Sequence, residues 1–280
     1  MSKYLPGLLI LCSTPCFAAS PYTVDLAAGL ISDDNITNGR DAKDIEDDTI
    51  VGADAGVSYH HPLDDHSAIT NRLDFALQQY QDFDKLSNSD LKLSIEYRFQ
   101  PDLHFTAPWY FVSLSLGQQA YDSTFRDNSY YQLGVGLGKR FTDTISIMAG
   151  FSMHSSSAEN SLFDVDSNRL YINADLKTAM HNTTYVTLQL ISGDIISTNV
   201  PPHPAVLNNI SWVDDDAYPS LSNPWTYRLD ADTTAIQLGN HFAFDSHQAI
   251  DVSISRYDSD AYGNFNYERT IISAHYLYRF

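Results

Sequence analysis

From Leu91 to Gln100 the chain alternates without a break. Leu91, Leu93, Ile95, Tyr97 and Phe99 are apolar, while Lys92, Ser94, Glu96, Arg98 and Gln100 between them are polar or charged. A helical face repeats every 3.6 residues, so only an extended strand puts these two sets on opposite sides. Such a strand belongs to a sheet with oil on one side and water on the other. The same rhythm recurs in Tyr22, Val24, Leu26, Ala28 and Leu30, in Val51, Ala53, Ala55, Val57 and Tyr59, and in Ile69, Leu73, Phe75 and Leu77. It returns in Tyr110, Val112, Leu114 and Leu116, and in Tyr131, Leu133, Val135 and Leu137 opposite Gly134, Gly136 and Gly138. Further stripes are Ile145, Ile147, Ala149, Phe151 and Met153, then Leu170, Ile172, Ala174 and Leu176, then Val186, Leu188 and Leu190, and then Ile250, Val252 and Ile254. Residues 225–243 are expected to add a strand whose apolar parity slips near 233–236, as a bulge would cause. With the C-terminal stripe the count is about twelve strands. Ten or fourteen stay open, because the turns at 83–89 and 100–107 are similar in length.

The connections carry a second regularity. Short turns near 62–66, 141–143, 179–182 and 245–248 alternate with longer segments at 32–48, 121–129, 155–167, 192–224 and 258–266. Short turns on one rim and long loops on the other are the plan of an up-and-down transmembrane β-barrel with both termini on the periplasmic side. A soluble β-sandwich or lipocalin-like barrel would instead turn the apolar stripes inward. Two features oppose that: the polar faces carry bulky charges and glycines, as a wet lumen tolerates, and aromatic residues cluster at strand ends. Those aromatics are Tyr22, Tyr59, Trp109, Tyr110, Tyr131, Trp225, Tyr276 and Tyr278, read as girdles at the two lipid interfaces.

The N-terminus begins Met1-Ser2-Lys3, continues through Leu5, Leu8, Leu9, Ile10 and Leu11, and reaches Cys16-Phe17-Ala18-Ala19. A basic start, a short apolar run and a small-x-small site predict a signal peptide over residues 1–18, cleaved after Ala18. Pro6 and Pro15 and the short run oppose an anchoring helix, and Leu11 precedes Cys12 where lipidation calls for a small residue. Cys12 and Cys16 both fall in the segment to be removed, so the barrel of residues 19–280 is expected to have no disulfide or thiol chemistry. No later stretch approaches roughly 20 apolar residues, which excludes a helical membrane protein. The C-terminus places Thr270, Ile272, Ala274, Tyr276, Tyr278 and Phe280 on one face and Ser273, His275 and Arg279 on the other. A terminal Phe280 with Tyr276 and Tyr278 before it resembles the closing strand of Gram-negative outer-membrane β-barrels. The resemblance implies that the barrel-assembly machinery recognises these three residues and that the chain resides in the bacterial outer membrane.

Charge sorts by the same parity. The chain has 16 Lys+Arg against 35 Asp+Glu, a net charge of −19, which opposes nucleic-acid binding because phosphates need a basic footprint. The expected lumen lining comprises Arg72, Lys92, Arg98, Arg140, Arg169, Lys177, Arg228, Arg269 and Arg279 with Asp25, Asp54, Asp74, Glu96, Asp175, Asp230, Asp232 and Asp251. Nine cations against eight acids is nearly neutral. A narrow lumen of this kind cross-links itself through Arg–carboxylate pairs, and its wall is not that of an anion-selective pore. The acidic excess therefore sits in loops, with Asp33, Asp34, Asp41, Asp44, Glu46, Asp47 and Asp48 in the first and Asp194, Asp214, Asp215 and Asp216 in the longest. These acids are read first as solvated and second as holders of divalent cations bridging lipopolysaccharide.

Chemistry-bearing motifs are few. His154 and Ser156 share a face, as in the His-x-Ser pair of barrel phospholipases and lipid A deacylases, but the Asn-Gly expected after the serine is missing and parity turns His154 into the lumen. Thr37-Asn38-Gly39, within Asp33-Asp34-Asn35-Ile36-Thr37-Asn38-Gly39, has a distant likeness to another lipid A-modifying barrel, with its spacing compressed and its aromatic residue absent. His60, His61 and His66 flank the Pro62 turn without an alternating ligand pattern and read as a solvated turn. The segments "GLISDDNITNGRDAKDIEDD", "SGDIIS" and "YLYRF" resemble a group of proteobacterial outer-membrane, porin-like barrels with no established activity. The expectation is a single all-β domain acting as a narrow, passive, porin-like channel for small solutes, with no cofactor, metal or catalytic centre. A closed barrel that works through acidic loops, as a structural or surface-binding module, is the first alternative; a lipid-modifying enzyme is the second. Outer-membrane lipid and lipopolysaccharide are the expected surroundings.

Overall fold

The structure is a computed structural model that describes residues 21–199, 211–215, 217–218, 221 and 224–280. The signal-peptide expectation for residues 1–18 lies outside these. In chain order the strands are β1 (Tyr22–Asp33), β2 (Asp48–Pro62), β3 (Ser67–Tyr80), β4 (Asn88–Phe99), β5 (Trp109–Tyr121), β6 (Asn128–Arg140) and β7 (Ile145–Ala158). They continue with β8 (Val165–Ala179), β9 (Asn182–Asn199), the short β10 (Trp212–Asp214), β11 (Trp225–Ala243), β12 (Gln248–Ala261) and β13 (Tyr267–Arg279). Each strand pairs antiparallel with its chain neighbour, β9 pairs with β11, and β1 pairs with β13 from Asp25↔Arg279 to Asp33↔Ile271. Twelve strands thus close on themselves and leave no free edge, the condition for crossing a bilayer with strands. β10 is not part of the closed cylinder; among the described residues it pairs with Trp225–Tyr227 of β11. The 81–87 connection lies on the extracellular rim and the 100–108 connection on the periplasmic rim, which fixes the strand number at twelve.

The apolar stripes face outward. Leu91 is 51% exposed, Leu170 54% and Val252 45%, while Lys92, Glu96 and Arg98 between the first of these and Phe99 are half-buried inside. Lipid is the solvent that makes such a surface stable. Tyr22, Tyr110, Tyr131 and Tyr276 are exposed on this outer face and form the girdles expected of them. Two expected girdle members do not. Trp109 points inward and is only 7% exposed, and Trp225 stacks on Trp212 at 3.6 Å in the extracellular extension of β11.

β11 also departs from the bulged strand expected at 233–236. Its register runs unbroken from Trp225↔Asn199 to Phe242↔Asn182 against β9. Ala231, Thr233, Ala235, Gln237 and Gly239 are buried inside, and Asp230, Asp232, Thr234, Ile236 and Leu238 are exposed outside. Small apolar alanines on the lumen face gave the false impression of a slipped parity. As a result Asp230 and Asp232 do not line the lumen, and Arg228, on the same parity, reaches the Ser161 and Asp164 carbonyls at the outer rim. The register shift that does occur lies at the periplasmic end of β8, between Lys177 and Ala179, and leaves Lys177 exposed on the rim.

The clusters of buried apolar residues, among the described residues, sit at the extracellular mouth. Ile31, Ile36, Ile50, Tyr80, Phe83, Leu86, Ala217 and Tyr218 form its largest cluster of buried apolar residues. Tyr227, Leu229, Ala231, Ala261 and Phe265 form a second, and Leu162, Phe163 and Ile196 a third. Within the membrane the interior is polar.

Candidate functional site

Within the membrane, a ladder of ion pairs runs along the β13–β1–β4 wall. Arg279 Nε donates to Asp25 Oδ1 at 2.6 Å, Arg72 Nη1 to Asp25 Oδ2 at 2.8 Å, and Arg72 Nε to Asp74 Oδ1 at 2.6 Å. Lys92 Nζ stands 3.5 Å from Asp74 Oδ2. The register explains the alignment, because Asp25 pairs with Gly56, Gly56 with Asp74 and Asp74 with Lys92. A Cβ on Gly56 would meet Arg72 Nη2 at 2.2 Å, so this glycine gives the guanidinium its path to Asp25. The ladder stays open to solvent: the side chains of Arg72, Lys92 and Arg279 are 36%, 32% and 45% exposed. Arginine, lysine and aspartate side chains thus neutralise one another along this wall. Asp90, which the parity count omitted, belongs to it and accepts the Tyr130 hydroxyl with both oxygens at 3.0 Å.

The other expected lining residues are spread around the bore. Asp54, Glu96, Arg98, Arg140, Arg169 and Asp175 face inward and are half-buried. Asp175 accepts Asn173 Nδ2 at 2.7 Å and Ser146 Oγ at 3.2 Å. Next to the ladder the β11–β13 wall presents mostly Ala, Ser, Thr and Gly, with Asp251 accepting the Tyr185 hydroxyl at 2.8 Å and His241 Nδ1 3.6 Å from its other oxygen. His154 is inward and buried, its ring 5.5 Å from that of Tyr130. Ser156 Oγ is engaged by the backbone of Val165, at 3.2 Å from N and 3.4 Å from O. The Ser156 hydroxyl proton is thus directed to a backbone carbonyl. His60 and His66 are exposed at the periplasmic turn, His60 against Thr70 and His66 against the Gln100 carbonyl.

Above the bore the first loop does not stream into solvent. It folds across the mouth. Arg269, 1% exposed, donates through Nε and Nη2 to the fully buried Asp33 and through Nη1 to Asn38 Oδ1. Asn38, in the left-handed region at φ 50°, sends Nδ2 to the Ile196 carbonyl at 2.7 Å, and Ser197 Oγ donates to the Asn38 carbonyl at 2.9 Å. The Thr198 amide donates to the Thr37 carbonyl, so the loop is clamped to β9 on the far wall. Asn35 holds the turn together, donating to the Gly39 and Glu268 carbonyls and accepting the Gly39 amide. A Cβ at Gly39 would lie 2.5 Å from the Asp44 carbonyl oxygen, which only glycine avoids.

A second buried pair completes this roof. Arg126 donates to Asp215, which also accepts Thr226 Oγ1 and the Ala217 amide. Burial works against the Arg126 charge, and Asp215 beside it more than compensates, lifting the guanidinium pKa above its ordinary value. The Arg126 guanidinium covers the Phe163 ring at 4.4 Å, and the Phe83 and Tyr218 rings pack at 5.5 Å. Burial pushes the Tyr218 phenol up to about 12. The solvated reading of the first loop is thus corrected: Asp33, Asp44 and Asp48 are buried, and Asp48 accepts the amides of Thr49, Gln81, Asp82 and Phe83. The site residues that sequence reasoning missed are Asn38, Arg126 and Asp215. Asn38 carried the signal of an Asn-Gly turn and Asp215 that of a loop acid, whereas Arg126 had none.

No family model matches the chain, and no curated protein matches it. Among solved structures, an outer-membrane channel of the COG4313 group from Pseudomonas putida F1 superposes with a TM-score of 0.61 at 11% identity, covering 94% of this chain and 97% of that one. The KdgM porin in complex with disordered oligogalacturonate gives a TM-score of 0.45 at 9% identity over 91% and 98% of the two chains. The TodX monoaromatic hydrocarbon channel gives 0.44 at 9% over 94% and 91%. At these identities the likeness is one of fold. The chain is an outer-membrane β-barrel of twelve strands, with its lipid-facing apolar band outside and a polar interior.

Proposed function

We propose that this protein is a narrow channel for small solutes whose extracellular mouth is shut at rest by its own first loop. One observation carries the reading. On the β13–β1–β4 wall the lining is charged and reachable by solvent, whereas the clusters of buried apolar residues, among the described residues, lie in the roof. A barrel serving only as a scaffold has no need to keep half-exposed charges along its bore. The large inward rings of Phe111, Trp109, Tyr130, Tyr171 and Tyr185 lie over glycines of neighbouring strands. Opening then means releasing the Asp33–Arg269 and Arg126–Asp215 latches. Residues 1–18 would serve as the export signal, and Tyr276, Tyr278 and Phe280 as the assembly signal on the outward face of β13. A closed barrel working through its exterior is the second reading, and the sealed mouth favours it.

Planar-bilayer recording separates the two readings. Wild-type protein is expected to give rare, small current steps, and replacement of residues 35–46 by a short glycine linker is expected to give frequent, stable ones. Arg269→Ala should open the pore partially. If both variants keep the folded, heat-modifiable gel mobility and neither carries current, the channel reading is wrong and the closed barrel stands.

A further inference from the structure

We propose that the periplasmic end of the lumen holds a binding site for small organic anions, built from Arg98, Arg140 and Trp109. Trp109 opens β5 and points inward, lying over Gly138 of β6, whose Cβ would meet the indole at 2.2 Å. The Arg98 guanidinium sits 4.7 Å from the Trp109 ring centroid and the Arg140 guanidinium 5.5 Å. Arg140 also lies 5.1 Å from the ring of Phe105 in the periplasmic turn. A guanidinium resting on an aromatic face keeps its N–H groups in its own plane, free at the edge for a carboxylate or phosphate.

What marks this pair is the contrast with five other arginines that form ion pairs. Arg72 and Arg279 are neutralised by Asp25 and Asp74, Arg269 by Asp33, Arg126 by Asp215 and Arg256 by Glu268. Arg98 and Arg140 face the lumen, and among the described residues the close contacts of their guanidiniums are with aromatic rings. Glu96, the next inward residue along β4, forms no ion pair with either among the described residues. The near-neutral sum of lumen charge therefore hides a level of the bore where two guanidiniums stand near one carboxylate, Glu96, and form no ion pair with it among the described residues. A solute carrying one carboxylate or phosphate satisfies both guanidiniums, and a flat body on that solute meets Phe105 and the adjacent Phe111. The inference rests on the channel reading for how a solute arrives, yet binding itself can be measured without any current.

Trp109 is its own reporter. In a folded chain carrying Trp212→Phe and Trp225→Phe, it is the remaining tryptophan of the three. The probes are 4-nitrobenzoate, the neutral 4-nitrobenzyl alcohol, and inorganic phosphate as competitor. Saturable quenching by 4-nitrobenzoate is expected, weakened at least about tenfold in Arg98→Gln/Arg140→Gln, with only collisional quenching by the alcohol. Competition by phosphate assigns the site to anionic groups in general, and absence of competition assigns it to carboxylates with a flat body. Linear quenching by 4-nitrobenzoate in the parent protein, or equal affinity for the alcohol, overturns the proposal whatever the bilayer experiments give. So does unchanged affinity in a double variant that keeps heat-modifiable mobility.

Discussion

Five inward glycines of this barrel face large inward side chains of the neighbouring strand in direct register. Gly117 is opposite Tyr130, Gly136 opposite Phe111, Gly138 opposite Trp109, Gly150 opposite Tyr171 and Gly239 opposite Tyr185. In each case a Cβ on the glycine would fall within 2.6 Å of the ring, so the ring lies flat across the neighbouring strand. Gly239→Val tests this arrangement. The branched side chain would lift the Tyr185 ring, break its 2.8 Å bond to Asp251 and push the phenol into the bore. Overpacking of this kind costs about 1–3 kcal/mol, expected as a lower midpoint in heat-modifiability gels, with Gly239→Ala intermediate. An unchanged midpoint for both would mean the glycines do not support the rings. The glycines on the lumen face were visible in sequence, since period two is a local property. Their aromatic partners were not, because a pair such as Gly239–Tyr185 exists only once strand register is known.

At the scale of elements, three periplasmic turns share one construction. Leu63 N bonds to the Ser67 carbonyl, Phe141 N to that of Ile145, and Phe244 N to that of Gln248. The second residue of each turn then caps amides inside it: Asp64 accepts His66 N, Thr142 accepts Thr144 N and Ile145 N, and Asp245 accepts His247 N and Gln248 N. These amide bonds hold the Asp64 and Asp245 carboxyls below the usual carboxylate range. A depressed folded-state pKa stabilises the turn at every pH above the ordinary value near 4, and that stabilisation disappears as pH falls through the lowered value. Amide-exchange protection of His66 and His247 should therefore persist at pH 5 and vanish in strong acid, while Thr144 keeps its protection throughout. Loss of all three together would assign the change to the barrel instead. The outer rim repeats a related device, with Ser87, Asp127, Asp164 and Asn266 each capping an amide at the end of the preceding strand. Turns of this sort were legible as short polar breaks. The parity of β11 was not, because Ala231 and Ala235 are apolar enough to mimic a lipid-facing stripe yet small enough to line a lumen.

For the molecule as a whole, the two regions obey different solvents. The cylinder is held by closed strand pairing in lipid, which offers unpaired backbone no alternative partner. The roof is a small water-facing core joined by buried ion pairs between distant segments, Asp33 with Arg269 across 236 residues and Arg126 with Asp215 across 89. That distance is also why the roof could not be read from sequence: local pattern marked the first loop as acidic and polar, and only the closed barrel brings Arg269 over Asp33. Urea solvates apolar and peptide groups exposed to water and weakens such a core in proportion to the surface released. The roof should consequently loosen at urea concentrations that leave the strands intact. Bilayer current through the wild-type chain is then expected to rise reversibly at about 2–4 M urea, together with a change in emission from the stacked Trp212 and Trp225, while gel mobility stays that of the folded barrel. Current, emission and mobility changing in one transition would mean that roof and cylinder form a single cooperative unit, and a gate that moves on its own would then have no physical basis.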